Sequence, residues 1–467
     1  MIFSSIDYLV FMVGVIVLLI IIKSGRVKKT ILLLSSYYFY SYWDYRFVAL
    51  MFLMTVVNFF IGKKIEESNQ EKGRKLWLLI SVFFNLCVLG YFKYYNFFIE
   101  SANNMLDSIG VRFSLLDIIL PVGISFITFE VMSYTIDIYR KTGKSADSFG
   151  DFALLVAFFP HLIAGPILKP SHFLPQLKKE IRIRWVNVEI GVQIFLFGML
   201  KKVLIADRLA LFVDPVFKDS EVYSSFSIWL AVIAYAIQIY CDFSGYTDMA
   251  IGSAKCLGFE IPHNFNMPYI SRSMTEFWKR WHISLSSWLR EYLYISLGGN
   301  RKGKVRQLIN LSIVMLLGGL WHGASWNFVI WGGLHGIALV AHKLYLEYIL
   351  RGKEIHTIVY KTWSWLVTVT FVCLTWVFFR SPNIDTAMYI IKKLLFFTPD
   401  KGILWIPTSF LLILPLIVVC HIFGKRKKGY AVLKLTTFSG LFVFFFVLLG
   451  LLFLMPVSFS PFIYFQF

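Results

Sequence analysis

Residues 310–346 of the chain read NLSIVMLLGGLWHGASWNFVIWGGLHGIALVAHKLYL, two apolar runs on either side of a short break. The runs, Asn310–Leu320 and Trp326–Leu346, have the apolar character of helices that cross a bilayer, for which a full span takes about 20 residues. The break between them carries His322 among glycines and tryptophans. The stretch therefore predicts two membrane helices joined by a turn that holds an ionisable side chain.

The rest of the chain has the same membrane character. Hydrophobic residues make up 58% of the 467 residues and charged residues only 16%, whereas soluble domains have about 45–50% apolar and roughly 25% charged residues. This composition excludes a cytosolic globular enzyme, a disordered chain and a disulfide scaffold. We predict a single all-α polytopic membrane domain over residues 1–467, a bundle of about eleven or twelve transmembrane helices.

Apolar runs of spanning character recur along the whole chain. The further candidates are Ser5–Ile22, Phe47–Ile61, Leu76–Phe92, Leu115–Tyr139, Val186–Ile205, Phe226–Asp242, Thr362–Phe379, Leu404–Ile422 and Phe438–Leu454, with a shorter aromatic-rich run at Thr30–Tyr40. The first run lacks a basic leader and a small-residue cleavage site, which predicts a retained span and not a removable signal peptide. Ala153–Ile167 contains Pro160 and Pro166, and because proline removes a helix donor we expect a re-entrant or kinked segment there.

Basic residues set the expected orientation. Lys and Arg number 46 against 27 Asp and Glu, a net charge of +19, and they concentrate in short loops between apolar runs. The clusters are Lys23, Arg26, Lys28 and Lys29; Lys63, Lys64, Lys72, Arg74 and Lys75; Arg140, Lys141 and Lys144; Lys169, Lys178, Lys179, Arg182 and Arg184; and Lys425–Lys428. Cytoplasmic loops carry such an excess, so we expect these loops inside and both termini outside. This placement disfavours nucleic-acid binding, although the last cluster could also contact lipid headgroups.

One segment fits neither a span nor an ordinary loop. Residues 272–293 read RSMTEFWKRWHISLSSWLREYL. At the helical period the apolar side chains form one stripe and the charged ones lie opposite, which predicts an amphipathic interfacial helix over Arg272–Leu293. The stripe consists of Met274, Trp278, Trp281, Leu285, Leu289 and Tyr292. His282 lies at its edge.

Histidines are the first candidates for chemistry. Ionisable residues inside a membrane are costly and mark functional sites, and imidazole exchanges protons near neutral pH. His322 and His282 are the two that stand out, although each could instead be a buried histidine satisfied by a backbone carbonyl. His335 and His342 share a helix face, but no third ligand has suitable spacing, so we expect packing roles and no metal site.

A second polar insertion ends an apolar run at residues 238–252, QIYCDFSGYTDMAIG. Asp242 and Asp248 do not share a helix face and match no calcium loop. They are either a polar helix end or substrate-facing groups. Gly245 is expected to break the helix and turn the chain towards the cytoplasm. Phosphate-binding loops, nucleophile elbows and dinucleotide fingerprints do not occur in the sequence, which disfavours ATP-driven chemistry and a serine hydrolase within this chain.

Three of these motifs together resemble the membrane-bound O-acyltransferase family. They are YCDFSGYTDMAIG, FNMPYISRSMTEFWKRWHISLSSWLREYLYISLGGNRKG and GLWHGASWNFVIWGGLHG, with weaker similarity from LPVGISFITFE onwards. The resemblance is nearest to the bacterial branch that acetylates alginate and peptidoglycan. It implies an acyltransferase that takes acetyl groups from cytosolic acetyl-CoA, a substrate and not a resident cofactor, and relays them through the membrane bundle.

The resemblance also implies roles for particular residues. His322 corresponds to the catalytic histidine, which would act as a general base, and His282 to the second site residue. The candidate substrate-binding residues are Asp242, Tyr246, Asp248, Arg280, Trp281, Arg290 and Trp321. The basic side chains Lys279, Arg280, Arg301, Lys302 and Lys304 could attract the phosphates of CoA, or could simply follow the positive-inside rule.

The same resemblance implies partners and a location. The expected partner is an extracytoplasmic serine-hydrolase-like (SGNH) acetyltransferase that modifies the final polysaccharide, and the expected location is a bacterial cytoplasmic membrane. The acceptor polymer stays open among alginate, peptidoglycan, cellulose and secondary wall polymers. Two rival interpretations are a transporter or flippase for a polysaccharide precursor and a structural scaffold of an envelope complex. We find no internal repeat of the kind that many transporters show.

Overall fold

The chain is mainly helical in the part that the structure describes. This computed structural model describes residues 1–163, 165–396, 402–424, 430, 433–454 and 462–463. Within those residues the only β-type pairing is one isolated bridge between Tyr223 and Ile403. The predicted all-α class is therefore confirmed. The basic run Lys425–Lys428 lies outside the described residues.

The chain divides into two compact units. The first comprises Met1–Phe195 and Met249–Pro262, and the second comprises Leu196–Asp248 and His263–Phe467. The expectation of one membrane domain over the whole chain stays a prediction. The long helix Ser225–Cys256 contributes residues to both units.

The α-helices are joined by connections of different lengths, of which residues 107–123 and 257–273 are among the longest. Those that begin in the first unit are Ile6–Ile21, Gly25–Ser41, Arg46–Glu67, Glu71–Leu89, Tyr95–Leu106, Ile124–Tyr139, Phe149–Ala157, Phe159–Leu162, Pro170–Leu177 and Trp185–Leu200. Those that begin in the second are Asp207–Lys218, Ser225–Cys256, Met274–Trp278, Ile283–Trp288, Lys304–His322, Trp326–Leu344, Ile358–Arg380, Ile384–Phe396, Thr408–Gly424 and Phe438–Leu454. Wider π-helical turns continue several of them: Gly90–Tyr94, Lys201–Ala206, Leu289–Tyr294 and Tyr345–Ile349.

Several of these helices have the dimensions of membrane spans. Among the described residues, five helical stretches are long and apolar enough to cross a bilayer: Arg46–Glu67, Glu71–Ile109, Ser225–Cys256, Trp326–Ile349 and Ile358–Arg380. Three shorter helices, Ile6–Ile21, Thr408–Gly424 and Phe438–Leu451, are also apolar. Large apolar side chains such as Ile6, Phe83 and Leu412 are more than 70% exposed, which suits a lipid environment and not water.

One predicted span is shorter in the structure. Residues Leu115–Tyr139 were expected to form a single span, but the helix occupies only Ile124–Tyr139 and residues 115–123 are not helical. The side-chain amides of Asn96 and Asn103 hydrogen-bond to the backbones of Leu116 and Phe113, at 2.7 to 3.0 Å. These bonds satisfy backbone groups that a helix would otherwise pair, so the apolar residues there need not be helical.

The proline-containing segment is broken, as predicted. Helix Phe149–Ala157 is followed by the single residue Phe158, and the short helix Phe159–Leu162 begins after it with Pro160 in its first turn. Phe152 to Phe159 are almost completely buried in the first unit. Proline is tolerated in a first helical turn because the N–H that it lacks would have no partner there.

The helix Ser225–Cys256 does not break at Gly245, so that prediction is wrong. The helix is continuous over 32 residues, and 78% of the residues in its most apolar part are buried. A Cβ atom on Gly245 would lie 2.6 Å from the carbonyl oxygen of Gly198. The glycine therefore serves the close approach of a neighbouring helix, a use of small residues that is common between membrane helices.

Candidate active site

The site forms where helices Lys304–His322 and Trp326–Leu344 meet. The two helices are antiparallel and joined by Gly323–Ser325, with Ser325 capping the second helix through its hydroxyl. A Cβ atom on Gly332 would lie 3.0 Å from the Cα of Gly319, so both positions require glycine for this approach. The sequence placed His322 in the turn after Leu320, whereas the first helix continues two residues further and ends with His322, whose side chain is only 3% exposed.

His282 lies in a break, which corrects the prediction of one continuous helix over Arg272–Leu293. Helix Met274–Trp278 ends before it and helix Ile283–Trp288 begins after it. The backbone of His282 is left-handed, with φ of +44°, a conformation that non-glycine residues rarely adopt. The predicted apolar stripe is nevertheless buried: Met274, Trp278, Trp281, Leu285, Leu289 and Tyr292 are each at most 9% exposed.

The two candidate histidines are neighbours. Their ring centroids lie 6.3 Å apart, with the ring planes at 61°. His282 is fully buried, and the ring of Phe243 packs edge-on against it at 4.8 Å. The sequence placed these histidines in separate motifs, and the fold of the second unit brings them together.

Aromatic side chains surround the ring of His322. The ring centroids of Trp321, Trp331 and Phe379 lie 5.1, 5.0 and 5.3 Å from it. Trp331 in turn stacks on Trp376 at 5.7 Å. Imidazole can take up and release a proton at these positions, and an aromatic shell that excludes water would protect a reactive ester from hydrolysis.

Asp242, a candidate substrate-binding residue, is engaged in a buried ion-pair cluster. The Nζ of Lys202 lies 2.6 Å from a carboxylate oxygen of Asp242 and 2.9 Å from one of Asp207. The other carboxylate oxygen of Asp242 accepts a hydrogen bond from the backbone N–H of Ile463 at 2.8 Å. Sequence reasoning missed Lys202, which lies within the predicted span Val186–Ile205. A lysine inside an apolar run was the available signal.

Asp248 and Tyr246 are also partnered within the second unit. Asp248 forms an ion pair with Lys201 and accepts a hydrogen bond of 2.6 Å from the hydroxyl of Tyr430. The ring of Tyr246 is fully buried and lies 4.5 Å from that of Phe462. Asp242 and Asp248 are thus each paired with a lysine of the turn Lys201–Ala206. None of these contacts involves His322 or His282.

The remaining candidates fall into two groups. Trp281 and Trp321 belong to the aromatic surroundings: Trp281 is fully buried against Phe277 and Trp376, and Trp321 lies 5.9 Å from the ring of His282. The two arginines, Arg280 and Arg290, have other surroundings.

Arg280 pairs with Glu276 at 2.9 Å and donates to the backbone carbonyl of Asn266. Arg290 lines a cavity of about 350 Å³, together with Tyr294, Ile295, Gly298, Gly299, Asn300, Arg301 and Gln307. Gly298 and Gly299 both have positive φ, of +105° and +56°, so the wall of this cavity requires glycine.

The other histidine pair has structural partners. His335 receives a hydrogen bond from the indole N–H of Trp278 at 3.3 Å, and its Nε2 lies 3.0 Å from the hydroxyl of Thr375. The Nδ1 of His342 lies 3.0 Å from the hydroxyl of Thr275. These contacts agree with the expected packing roles. Across the described residues, His, Cys, Asp and Glu form no group of three that could hold a metal ion.

A second buried acid–base pair lies in the first unit. The Nε2 of His161 is 3.1 Å from a carboxylate oxygen of Glu130, and both side chains are only 3% exposed. The pair joins helix Ile124–Tyr139 to the proline-broken segment. Sequence reasoning assigned neither residue a role.

Comparison with known proteins gives the family. The membrane-bound O-acyltransferase (MBOAT) family model matches residues 147–391, which contain both candidate histidines. The chain is 43% identical over 389 residues to the probable alginate O-acetylase AlgI of Azotobacter vinelandii, covering 83% of this chain and 76% of that protein. It is 38% identical over 396 residues to the peptidoglycan O-acetyltransferase of Helicobacter pylori, covering 79% and 74%.

A more distant relative shares only part of the chain. The teichoic acid D-alanyltransferase of Streptococcus thermophilus is 30% identical over 243 residues, covering 48% of this chain and 57% of that protein. The matches to the alginate and peptidoglycan proteins extend well beyond the region around the histidines. The resemblance noted in the sequence is thereby confirmed: this chain is an acyltransferase that belongs to the membrane-bound O-acyltransferase family.

Proposed function

We propose that this protein transfers acetyl groups from cytosolic acetyl-CoA, through the membrane, towards the hydroxyl groups of an extracytoplasmic polysaccharide. The observation that carries the proposal is the pairing of His322 and His282, with ring centroids 6.3 Å apart inside an aromatic shell. The relatives named for O-acetylation of alginate and peptidoglycan support the choice of acetyl group and acceptor class.

His322 is proposed as the general base. A thioester is already activated, so the protein needs mainly to place a hydroxyl next to it and to remove the hydroxyl proton. The hydroxyl oxygen forms a new bond to the acetyl carbon, the carbon–sulfur bond breaks, and His322 returns the proton to the departing thiolate. Atoms and charge balance without a metal or a resident cofactor.

The donor is proposed to bind by its phosphates at the basic cavity that Arg290 and Arg301 line. Arg290 and Arg301 face a cavity of about 350 Å³ whose wall contains Gly298 and Gly299. Guanidinium groups match the geometry of phosphate oxygens and bind them by two hydrogen bonds at once. The phosphates of CoA would be held there while the acyl end enters the protein.

The acceptor side is proposed to involve a separate protein. A serine-hydrolase-like acetyltransferase outside the membrane would receive the acetyl group and modify the polymer. The orientation proposed with it places the basic loops in the cytoplasm and both termini outside, in the cytoplasmic membrane of a bacterium.

The test is acetyl transfer from radiolabelled acetyl-CoA in membranes that contain this protein and its partner, normalised to protein level. We expect His322→Ala to lower the rate by about 10²–10⁴-fold, the usual effect of losing a positioned general base. His322→Gln, which keeps a polar side chain of similar size, should be equally inactive. The matched control is His342→Ala, because His342 is half-buried on the neighbouring helix and bonded to Thr275, away from the pair.

Near-normal transfer by a well-expressed His322→Ala variant would contradict the catalytic assignment. It would favour instead the transporter or scaffold interpretation, in which the histidines are dispensable. Inactivity of both His322→Ala and His342→Ala would indicate a general loss of structure.

A further inference from the structure

The side chain of Asn264 contacts His282 and the backbone beyond it. The Oδ1 of Asn264 lies 3.2 Å from the Nδ1 of His282, and accepts hydrogen bonds from the backbone N–H and the hydroxyl of Ser284 at 3.0 and 2.9 Å. The backbone carbonyl of Asn264 accepts a further bond from the N–H of Ile283 at 2.9 Å. Asn264 is 1% exposed.

These contacts settle which atom of the amide faces the histidine. A backbone N–H can only donate, so the atom of Asn264 opposite Ser284 must be the oxygen. Rotating the amide by half a turn would place an NH₂ group against that N–H, donor against donor. The atom that meets Nδ1 of His282 is therefore an acceptor.

An acceptor at that position fixes the tautomer of the ring. A neutral imidazole has one N–H and one bare nitrogen, and the hydrogen bond at one nitrogen decides which is which. Since Oδ1 of Asn264 can only accept, Nδ1 of His282 carries the hydrogen. Nε2, on the other side of the ring, is then a bare acceptor, and it is buried without a hydrogen-bond partner among the described residues.

The same residue also holds the backbone that aims the ring. His282 is left-handed, with φ of +44°, and such a conformation persists only when its surroundings enforce it. The backbone N–H groups of Ile283 and Ser284 donate to Asn264, and these bonds fix the first turn of the helix that follows His282. Ring orientation and tautomer thus depend on one residue.

We propose that Asn264 is a positioning residue, which holds His282 protonated on Nδ1 so that Nε2 accepts a hydrogen bond from a substrate group bound beside His322. This inference rests on the proposed acyl transfer and adds to it a residue that acts only through His282. Asn264 itself touches no reacting atom.

Few ionisable groups lie near the ring of His282. His322 faces it from helix Lys304–His322. On helix Ser225–Cys256, Asp242 adjoins Phe243, but its carboxylate is paired with Lys202. His263, next to Asn264 in the chain, is exposed, and its ring lies 4.9 Å from that of Tyr430. A new carboxylate at position 264 would consequently be the strongest charge acting on this imidazole.

The pH profile of acetyl transfer tests the proposal through Asn264→Asp. The aspartate has the same shape and accepts the same hydrogen bonds, but its charge favours the imidazolium form of His282, whose Nε2 can no longer accept. We expect the acidic limb of the profile to move to higher pH by about 1–2 units, as for a group beside a new opposite charge. The matched control is Asn266→Asp, since Asn266 is exposed two residues further along the same loop, and its profile should equal that of the wild type.

A second variant, His282→Asn, tests the role of Nε2 directly. Asparagine tolerates positive φ better than most residues, and its NH₂ can replace the Nδ1–H that bonds to Asn264, but it has nothing in place of Nε2. We expect a folded protein with transfer reduced by at least about 10²-fold. This variant decides the matter if Asn264→Asp fails to fold.

Two results would overturn the inference while acetyl transfer by the wild type stands. One is a profile of Asn264→Asp that superimposes on that of the wild type, and the other is normal transfer by His282→Asn. A wild-type protein that transfers no acetyl group from acetyl-CoA would instead refute the proposed function, before any variant is compared.

Discussion

The backbones of Gly319 and Gly332 are in contact where helix Lys304–His322 crosses helix Trp326–Leu344. A Cβ atom on Gly332 would lie 3.0 Å from the Cα of Gly319. His322 follows Gly319 by less than one helical turn, so the position of the candidate base depends on this crossing. Any side chain added here would separate the helices and displace the histidine.

The first prediction follows from that crossing. Gly332→Ala should destabilise the protein by about 1–3 kcal/mol, the usual cost of forcing extra atoms into a packed interface, and should lower acetyl transfer per folded molecule. Gly333→Ala is the matched control, because a Cβ there would meet only the end of the Leu316 side chain, at 3.4 Å. Thermal unfolding in detergent measures both variants; equal melting temperatures for the two would contradict the prediction.

The second prediction concerns the buried lysine. Lys202→Met leaves the carboxylates of Asp207 and Asp242 without their cation, and loss of one partner from a buried ion pair costs about 3–5 kcal/mol. We expect a large drop in melting temperature or in the yield of folded protein. Lys64→Met removes an exposed lysine paired with Glu67 and should cost at most about 1 kcal/mol. Similar melting temperatures for the two variants would show that the ion pairs of Lys202 with Asp207 and Asp242 do not stabilise the fold.

The third prediction concerns the interrupted amphipathic segment. Leu285 is fully buried and Lys279 is exposed. Leu285→Glu places a charge in the apolar interior and should cost on the order of 2–3.5 kcal/mol, so that little folded protein is recovered. Lys279→Glu also introduces a glutamate, on the exposed side, and should express as the wild type does. Equal recovery of both, measured by size-exclusion chromatography, would contradict the burial of this face.

The fourth prediction tests orientation. In a background without the native cysteines, single cysteines at the exposed positions Arg26 and Lys72 should resist a membrane-impermeant thiol reagent in intact cells, because basic loops face the cytoplasm. Cysteines at Asn104 and Asp219, which are also exposed, should react. Permeabilised cells provide the control, since all four positions must then label. Labelling of the cysteine at position 72 with protection of the cysteine at position 104 would contradict the proposed topology.

Hydropathy was sufficient to predict the helix pair around His322. The two apolar runs are local features, and the structure has a helix at each, Lys304–His322 and Trp326–Leu344, although the first begins six residues before Asn310 and ends two residues beyond Leu320. The all-α membrane class was predictable for the same reason, because bilayer-spanning segments must satisfy their backbone hydrogen bonds internally.

Features that depend on distant residues were not predictable. The break at His282 is fixed by Asn264, which lies 18 residues earlier, and the helical period of the sequence continues through it. Gly245 looks like a helix breaker until its neighbour Gly198 is known. Lys202 pairs with Asp242 only because the turn Lys201–Ala206 packs against helix Ser225–Cys256. No spacing within the sequence indicates that ion pair.

The continuity of helix Ser225–Cys256 has a consequence for the lipid environment. Its 32 residues extend about 48 Å at 1.5 Å per residue, whereas the hydrocarbon core of a bilayer is about 30 Å thick. A helix that exceeds the membrane in this way must tilt or project into the headgroup region, and hydrophobic mismatch then couples its inclination to bilayer thickness. The acyl-chain length of the surrounding phospholipids is thus a physical variable that sets the depth of Asp242, and with it the depth of the adjoining Phe243 and His282.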